Sequence, residues 1–409
     1  MTTVLERDPG TRAKRGRVRR LRKRSLTLIV LLAVSAGLGV GVQRLVTSDA
    51  PAAPEQVIGD PADGEQFTTL MVTTLLEDPS QQADGLTLFG IDRDGRDPAV
   101  MFIPTETITE VPGQGSVEVG KAMSFGRLSL VELAVENLLG IVVDRTVGVD
   151  DVSLGSLVDA IGGIDVAVDE RLYEDDPEGR RQLVFPLGEQ HFDGAAAITY
   201  LTYEPAEASD LDRFPRAQKV WEGVFAAVGP DQLARAVEGL GDSVAGLEGA
   251  GGLADLLRMF SAASSQQYEV MPPRPVVSGG DEEVFQVDEG ALERVIARSF
   301  AGSRPAPGAG VGSRVELRNG NGMPEVGERA AAVLIPAGFR IVLSGNAGSF
   351  DHRSTRIVVY SDDAQAIAMG ERIRALLGVG ELEIGTRGQT VADVTVILGA
   401  DLLEKETTT

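Results

Sequence analysis

The chain has 409 residues and no cysteine, which excludes disulfides, thiolate nucleophiles and cysteine-ligated metals. With only His191 and His352, neither a His-rich metal site nor an ordinary Ser-His-Asp triad is indicated. The net charge of −23 is unevenly spread: residues 1–24 hold ten Lys/Arg against two Asp/Glu, so the rest holds 28 against 59, a net −31 that excludes nucleic acid as a partner.

The chain opens on a basic run, RAKRGRVRRLRKR at residues 12–24, followed by the uncharged LTLIVLLAVSAGLGVGV at residues 26–42. A helix needs roughly 20 residues to cross a hydrocarbon core, so residues 25–46 suffice if Arg44 snorkels. Cations ahead of the apolar run predict a single-pass plasma-membrane protein, with residues 1–24 cytoplasmic and residues 47–409 extracytoplasmic. A cleaved signal peptide, with Ser35-Ala36-Gly37 as its small-x-small site, is the rival reading. A basic nucleic-acid-binding tail is a third, and the adjoining apolar run disfavours it.

Residues 47–65 (TSDAPAAPEQVIGDPADGE) read as a stalk, rich in Pro, Ala and acidic residues. Strands are predicted at 67–76, 86–92 and 100–103. The capping box Ser129-Leu-Val-Glu132 opens a helix with Leu130, Ala134 and Leu138 on one face, stopped by Gly140. A strand at 146–149 precedes a helix carrying Leu154, Leu157, Val158 and Ile161, ended by Gly162-Gly163. Ile164, Val166 and Val168 then alternate with polar or small residues as a half-buried strand. Strands alternating with helices predict a layered α/β sheet. Residues 227–300 read as helical, interrupted at the glycine run 249–252. The stretch GSRPAPGAGVGS, residues 302–313, is a linker by composition. A smaller α/β unit follows at 314–401, with strands at 314–318, 339–343, 356–360 and 394–398. Its helices start at Pro324 and around Met369, Ile373, Leu376 and Leu377. Residues 402–409 read as a disordered tail.

VELAVENLLGI (131–141), LVDAIGGIDVAV (157–168), LGEQHFDGAAAITY (187–200) and DRFPRAQK (212–219) resemble the LytR-CpsA-Psr family of envelope proteins over residues 66–301. VELRNGNG, AGFRIVLSGNAGSFDHRST and VTVILGADL resemble the C-terminal domain that often follows in actinobacterial members. The resemblance implies an α-β-α layered domain and a smaller α/β domain behind one transmembrane helix. It also implies a phosphotransferase that moves a glycopolymer from a polyprenyl pyrophosphate carrier onto peptidoglycan. Members hold the pyrophosphate in an arginine-rich cleft, use carboxylates for a divalent metal such as Mg²⁺, and seat the lipid in an apolar groove, here predicted along helices 131–139 and 154–161.

The chain departs from that pattern. The family's Arg-Ser-Asp-Thr is Gln82-Ala83-Asp84-Gly85, and its Ile-Pro-Arg-Asp is Ile103-Pro104-Thr105-Glu106. The lysine and asparagine of the next turn fall on Glu118 and Gly120, and the Arg-x-Arg after Tyr200 is Thr202-Tyr203-Glu204. What remains is Asp84 for the metal and Arg213, Arg216 and Gln218 for the headgroup and the chemistry. Hydrogen bonds to charged groups are worth roughly 1.5–3 kcal/mol each, so losing three costs about 5–9 kcal/mol, a thousandfold or more. Each survivor also has a plainer role. Arg213 and Arg216 can pair with Asp210 and Asp212 on a solvated face, Asp84 can serve a turn, and Trp221 can be core or groove wall. The sequence leaves two functions open. One is a binding or scaffolding partner of active paralogues and polyprenyl-linked intermediates, with little transferase chemistry. The other is an active phosphotransferase with a rebuilt cleft.

Overall fold

The computed structural model describes residues 66–78, 80–92, 94–125, 128–175, 179–204, 209–276, 283–386 and 389–406. The basic tail, the apolar run and the stalk lie outside them. Among the described residues no helix is long and apolar enough to cross a membrane.

β1 (Gln66–Thr74) lies inside a six-stranded sheet, flanked on one side by β2 (Ala83–Asp92) and β3 (Ala99–Ile103), each antiparallel to its predecessor. A hairpin of β4 (Ile108–Val111) and β5 (Gly115–Glu118) leads through a 3₁₀ segment, Val119–Phe125, into α1 (Leu128–Leu139). β6 (Arg145–Asp150) then returns parallel to β1, followed by α2 (Asp151–Ala160) and β7 (Ile164–Val168). β8 (Leu172–Asp175) and β9 (Arg181–Phe185) pair antiparallel in a two-stranded sheet of their own. After β10 (Gly188–Phe192) come α3 (Gly194–Leu201), the 3₁₀ turn Asp210–Arg213, α4 (Phe214–Ala227) and α5 (Pro230–Glu238). β11 (Val244–Ala245), α6 (Gly249–Ala262) and β12 (Gln267–Val270) follow, and the sheet order is β11-β6-β1-β2-β3-β12. β13 (Pro273–Val276) and β14 (Val284–Val287) pair separately ahead of α7 (Glu289–Ser299).

Helices cover both faces of this sheet, which is why its strands are apolar on both sides. Leu86 and Leu88 of β2 share a core with Leu130 and Val135 of α1 and Val295 of α7. Phe89 points the other way and meets Trp221 of α4 and Phe260 of α6 edge to face at 5.2 and 5.3 Å. Each such pair adds about 0.5–1.5 kcal/mol beyond its area burial.

Three local expectations change. The first helix begins at Leu128, so Ser129 sits inside it instead of capping it. The glycine run at 249–252 starts α6 rather than interrupting a helix. The reason is space: a Cβ on Gly252 would meet Glu248 and Arg145 at 2.8–2.9 Å, and the Gly252 carbonyl accepts from Arg145 Nη1 at 2.7 Å. The tail read as disordered begins instead as α10 (Asp401–Glu406), because Leu402 is buried in the C-terminal core and the Asp401 carboxylate accepts from Thr355 N and Oγ1.

The C-terminal sheet has the order β16-β15-β19-β17-β18, built from β15 (Arg314–Asn319), β16 (Arg340–Asn346), β17 (Arg356–Val359), β18 (Glu381–Ile384) and β19 (Val394–Leu398). It packs against α8 (Val326–Leu334) and α9 (Ala364–Leu377) through Leu317, Leu334, Ile373 and Val396. Its edge strand β16 is covered. Asn137 of α1 donates to Ile341 O and accepts from Ile341 N, both at 2.8 Å, so one side-chain amide pairs with the edge as a neighbouring strand would. Leu133 of α1 joins the C-terminal core. The segment at 302–313 is tied down as well: Gly312 N donates to Gly338 O at 2.7 Å and Arg372 Nη1 to Ala309 O at 2.9 Å.

Candidate functional site

A cleft of about 80 Å³ opens at the carboxyl ends of the parallel strands β1 and β6, where Thr73, Thr74, Leu75 and Asp151 line it. Such strand ends are the usual place for a ligand in an α/β sheet. Its walls are mostly apolar, with Phe102, Leu154, Ile198, Leu201, Phe214 and Trp221 among them.

Asp84 reaches the cleft through a bulge. Thr73 pairs with Gly85 and Thr74 with Ala83, so Asp84 is the extra residue that the bulge turns out of the ladder. A Cβ on Gly85 would stand 2.5 Å from Thr73 Oγ1, which leaves glycine as the residue that lets the strands close here. The Asp84 carboxylate meets Arg213, with Nη2 to Oδ2 at 2.5 Å and Nη1 to Oδ1 at 3.5 Å. Arg213 Nε also points at Leu201 O, 3.4 Å away. Arg216 is 7 % exposed and turned to the main chain: Nε donates to Tyr200 O at 3.1 Å and Nη2 to Tyr203 O at 2.5 Å. Both arginines thereby hold the carbonyl end of α3, where a cation is favoured. Gln218 donates to Glu222 one turn along α4 at 2.8 Å.

The Asp212 carboxylate accepts from Ser209 N and caps the 3₁₀ turn. Trp221 is both core and cleft wall, at 4 % exposure. The predicted apolar groove moves. α1 is a core helix and does not line the cleft, and α2 contributes Leu154 but not Ile161, because the cleft meets only the N-terminal end of α2. Thr105 and Thr202, two of the positions where the resemblance expects cations, do line the cleft. Glu118 instead pairs with Lys121 at 2.6 Å.

Among the described residues the charged lining is two carboxylates, Asp84 and Asp151, against one guanidinium, Arg213. Asp151, which the sequence reading missed, accepts from Leu76 N and Val152 N at 3.0 Å each. Burial raises its pKa above the ordinary carboxylate range, and the nearby Asp150 and Asp84 push the same way. Its position at a helix start after a parallel strand was the available signal. In this arrangement both Asp84 oxygens face Arg213 rather than open space, and among the described residues no group of three or more His, Asp or Glu could hold a metal ion.

Residues 62–294 match the LytR_cpsA_psr family, and residues 312–402 match the LytR cell envelope-related transcriptional attenuator domain. The probable cell wall biosynthesis protein LcpB of Corynebacterium glutamicum is 29 % identical over 153 residues, 37 % of this chain and 36 % of that protein. The polyisoprenyl-teichoic acid–peptidoglycan teichoic acid transferase TagU of Enterococcus faecalis is 31 % identical over 132 residues, 32 % of this chain and 41 % of that protein. The chain thus spans less than half the length of these curated relatives. The crystal structure of Bacillus subtilis TagV shares the fold, with a TM-score of 0.51 at 19 % identity over 60 % of this chain and 99 % of that one.

Proposed function

The chain belongs to the LytR_cpsA_psr family, and on that premise we propose that it is a membrane-anchored, extracytoplasmic protein of cell-wall glycopolymer assembly. It binds polyprenyl-linked intermediates and performs little or no phosphoryl transfer. The basic run and apolar run of residues 12–46 support the anchor and its orientation. The names of the relatives, cell wall biosynthesis and teichoic acid transfer to peptidoglycan, support the pathway class and peptidoglycan as a partner, and paralogous family members are the further partners of this reading.

One observation carries the reduced chemistry: the one guanidinium that lines the cleft among the described residues is already engaged by a carboxylate of the same cleft. Phosphoryl transfer draws its rate from fixed cations placed where charge develops on the oxygens. Here Thr105 and Thr202 supply hydroxyls in that role, and Arg216 is committed to two carbonyls. Binding an isoprenoid tail needs apolar wall instead, at about 25 cal/mol per Å² buried, and Phe102, Leu154, Ile198, Phe214 and Trp221 provide it.

The test is titration of the purified full chain in detergent with polyprenyl phosphates of increasing length, together with turnover of a polyprenyl pyrophosphate glycolipid with and without Mg²⁺. Affinity is expected to rise with tail length and to depend weakly on salt. Turnover at the rate of an active family member, abolished by Arg213→Ala, overturns the reading.

A further inference from the structure

The C-terminal sheet touches the rest of the chain at a point mechanically connected to the cleft. The β4–β5 hairpin carries Gly113 and Gln114 at its tip and Thr105 and Gly120 at its base. The tip and its flank are clasped from the C-terminal side. Ser344 N and Oγ both donate to Glu110 Oε1 at 2.6 Å, and Ser344 Oγ accepts from Gly113 N at 3.2 Å. Asn137 adds a bond to Glu110 O at 3.2 Å while it holds Ile341. Glu110 is 9 % exposed and Asn137 5 %, so these are enclosed polar contacts, not loose surface pairs.

The base of the same hairpin is a wall of the cleft. Gly120 N donates to Thr105 O at 2.9 Å and Val119 N to Thr107 O at 2.8 Å, which extends the hairpin pairing down to Thr105. Thr105 lines the cleft, and Gly120 packs so closely on Thr105 and Ala83, the neighbour of Asp84, that a Cβ there would stand 2.8–3.2 Å from them. The hairpin's paired strands, four residues each at about 3.4 Å per residue, span roughly 14 Å between the turn and the base. The cleft that the base lines, about 80 Å³, is well below the roughly 300 Å³ or more that small-molecule sites offer. A ligand of that size therefore requires a wall to move.

We propose that the C-terminal domain gates the cleft through the β4–β5 hairpin: while Ser344 and Asn137 hold Glu110 and the hairpin tip, Thr105 and Gly120 keep the cleft narrow, and release of the tip widens it. The gate is independent of which ligand enters, so it stands or falls apart from the functional reading above.

Trp221 is the only tryptophan of the chain and a wall of the cleft, so its fluorescence reports the opening without any ligand. In Ser344→Ala, amide exchange across residues 108–118 is expected to rise about tenfold, the scale of losing one or two hydrogen bonds. Acrylamide quenching of Trp221 is expected to rise with it, about twofold or more. Faster exchange with unchanged Trp221 quenching overturns the proposal, and so does no change in either. A second variant removes the question of folding. The chain has no cysteine, and a Cβ on Gly113 would lie 3.4 Å from Glu328 Cγ. Gly113→Cys with Glu328→Cys can therefore be closed and opened with oxidant and reductant in one sample. The positive φ of 78° at Gly113 strains both redox states alike. Quenching of Trp221 should be lower in the oxidised form, and equal quenching in the two forms overturns the gate.

Discussion

Asp84→Asn separates the two meanings of that carboxylate. It removes one negative charge and keeps the size of the side chain, so the bulge and the cleft shape stay. Asp84 and Arg213 are 23 % and 18 % exposed, between a surface pair worth at most about 1 kcal/mol and a buried one whose breaking costs about 3–5 kcal/mol. The fold should therefore lose about 2 kcal/mol. At roughly 2–4 °C per kcal/mol for a domain of this size, that is a fall in Tm of a few degrees. Ligand binding should move the opposite way. With the internal carboxylate gone, the Arg213 guanidinium is released to an external phosphate, a charge-assisted bond worth roughly 1.5–3 kcal/mol, or about ten- to a hundredfold in affinity. The assay is titration with a polyprenyl phosphate read through Trp221 fluorescence, at low and high salt, with Arg213→Ala as the comparator. The Asp84→Asn gain should shrink at high salt, and Arg213→Ala should show none. Chelation by EDTA should leave both curves in place. Weaker binding by Asp84→Asn, or loss of wild-type binding on chelation, would refute the reasoning, because either result makes Asp84 a cation ligand.

Two further outcomes follow from groups away from the cleft. Glu136 is 2 % exposed, and burial, helped by Glu132 and Asp144, holds its pKa well above the usual carboxylate value despite the bond from Val143 N. The folded state therefore binds that proton more tightly than the unfolded one, and the stabilisation present at acid pH is lost as pH rises through the raised folded value. Glu136→Gln should raise Tm at pH 8 by more than at pH 5, and a gap that is equal or reversed would contradict this. Asn137→Ala strips partners from Ile341 N, Ile341 O and Glu110 O; at about 1 kcal/mol or more per buried orphan, the full chain should lose about 3 kcal/mol, and faster amide exchange at Ile341 should accompany it. An unchanged melt would show that Asn137 does not bind the two sheets together.

The sequence by itself determined the element types and the chemistry on offer. Period-two runs such as Ile164, Val166 and Val168 and period-3.6 runs such as Leu154, Leu157, Val158 and Ile161 each state which face is apolar, because burial is paid for locally by spacing along one strand or helix. The motif around DRFPRAQK placed Arg213 and Arg216 near the site, and Thr105 and Thr202 were readable as lost cations. The same sequence could not say where those arginines point. Arg213 meets Asp84 across 129 residues, Asn137 meets Ile341 across 204, and Ser344 meets Glu110 across 234. Such partnerships depend on how strands register and helices stack, and no local periodicity encodes them. The bulge that frees Asp84 depends in the same way on the pairing of β1 with β2, and the bonds from Gly312 to Gly338 and from Arg372 to Ala309 that tie the 302–313 linker in place are likewise tertiary contacts. Tertiary structure alone decided that the Arg213 guanidinium in the cleft meets an internal carboxylate, because a charge in a part-buried site takes the nearest opposite charge the fold delivers to it.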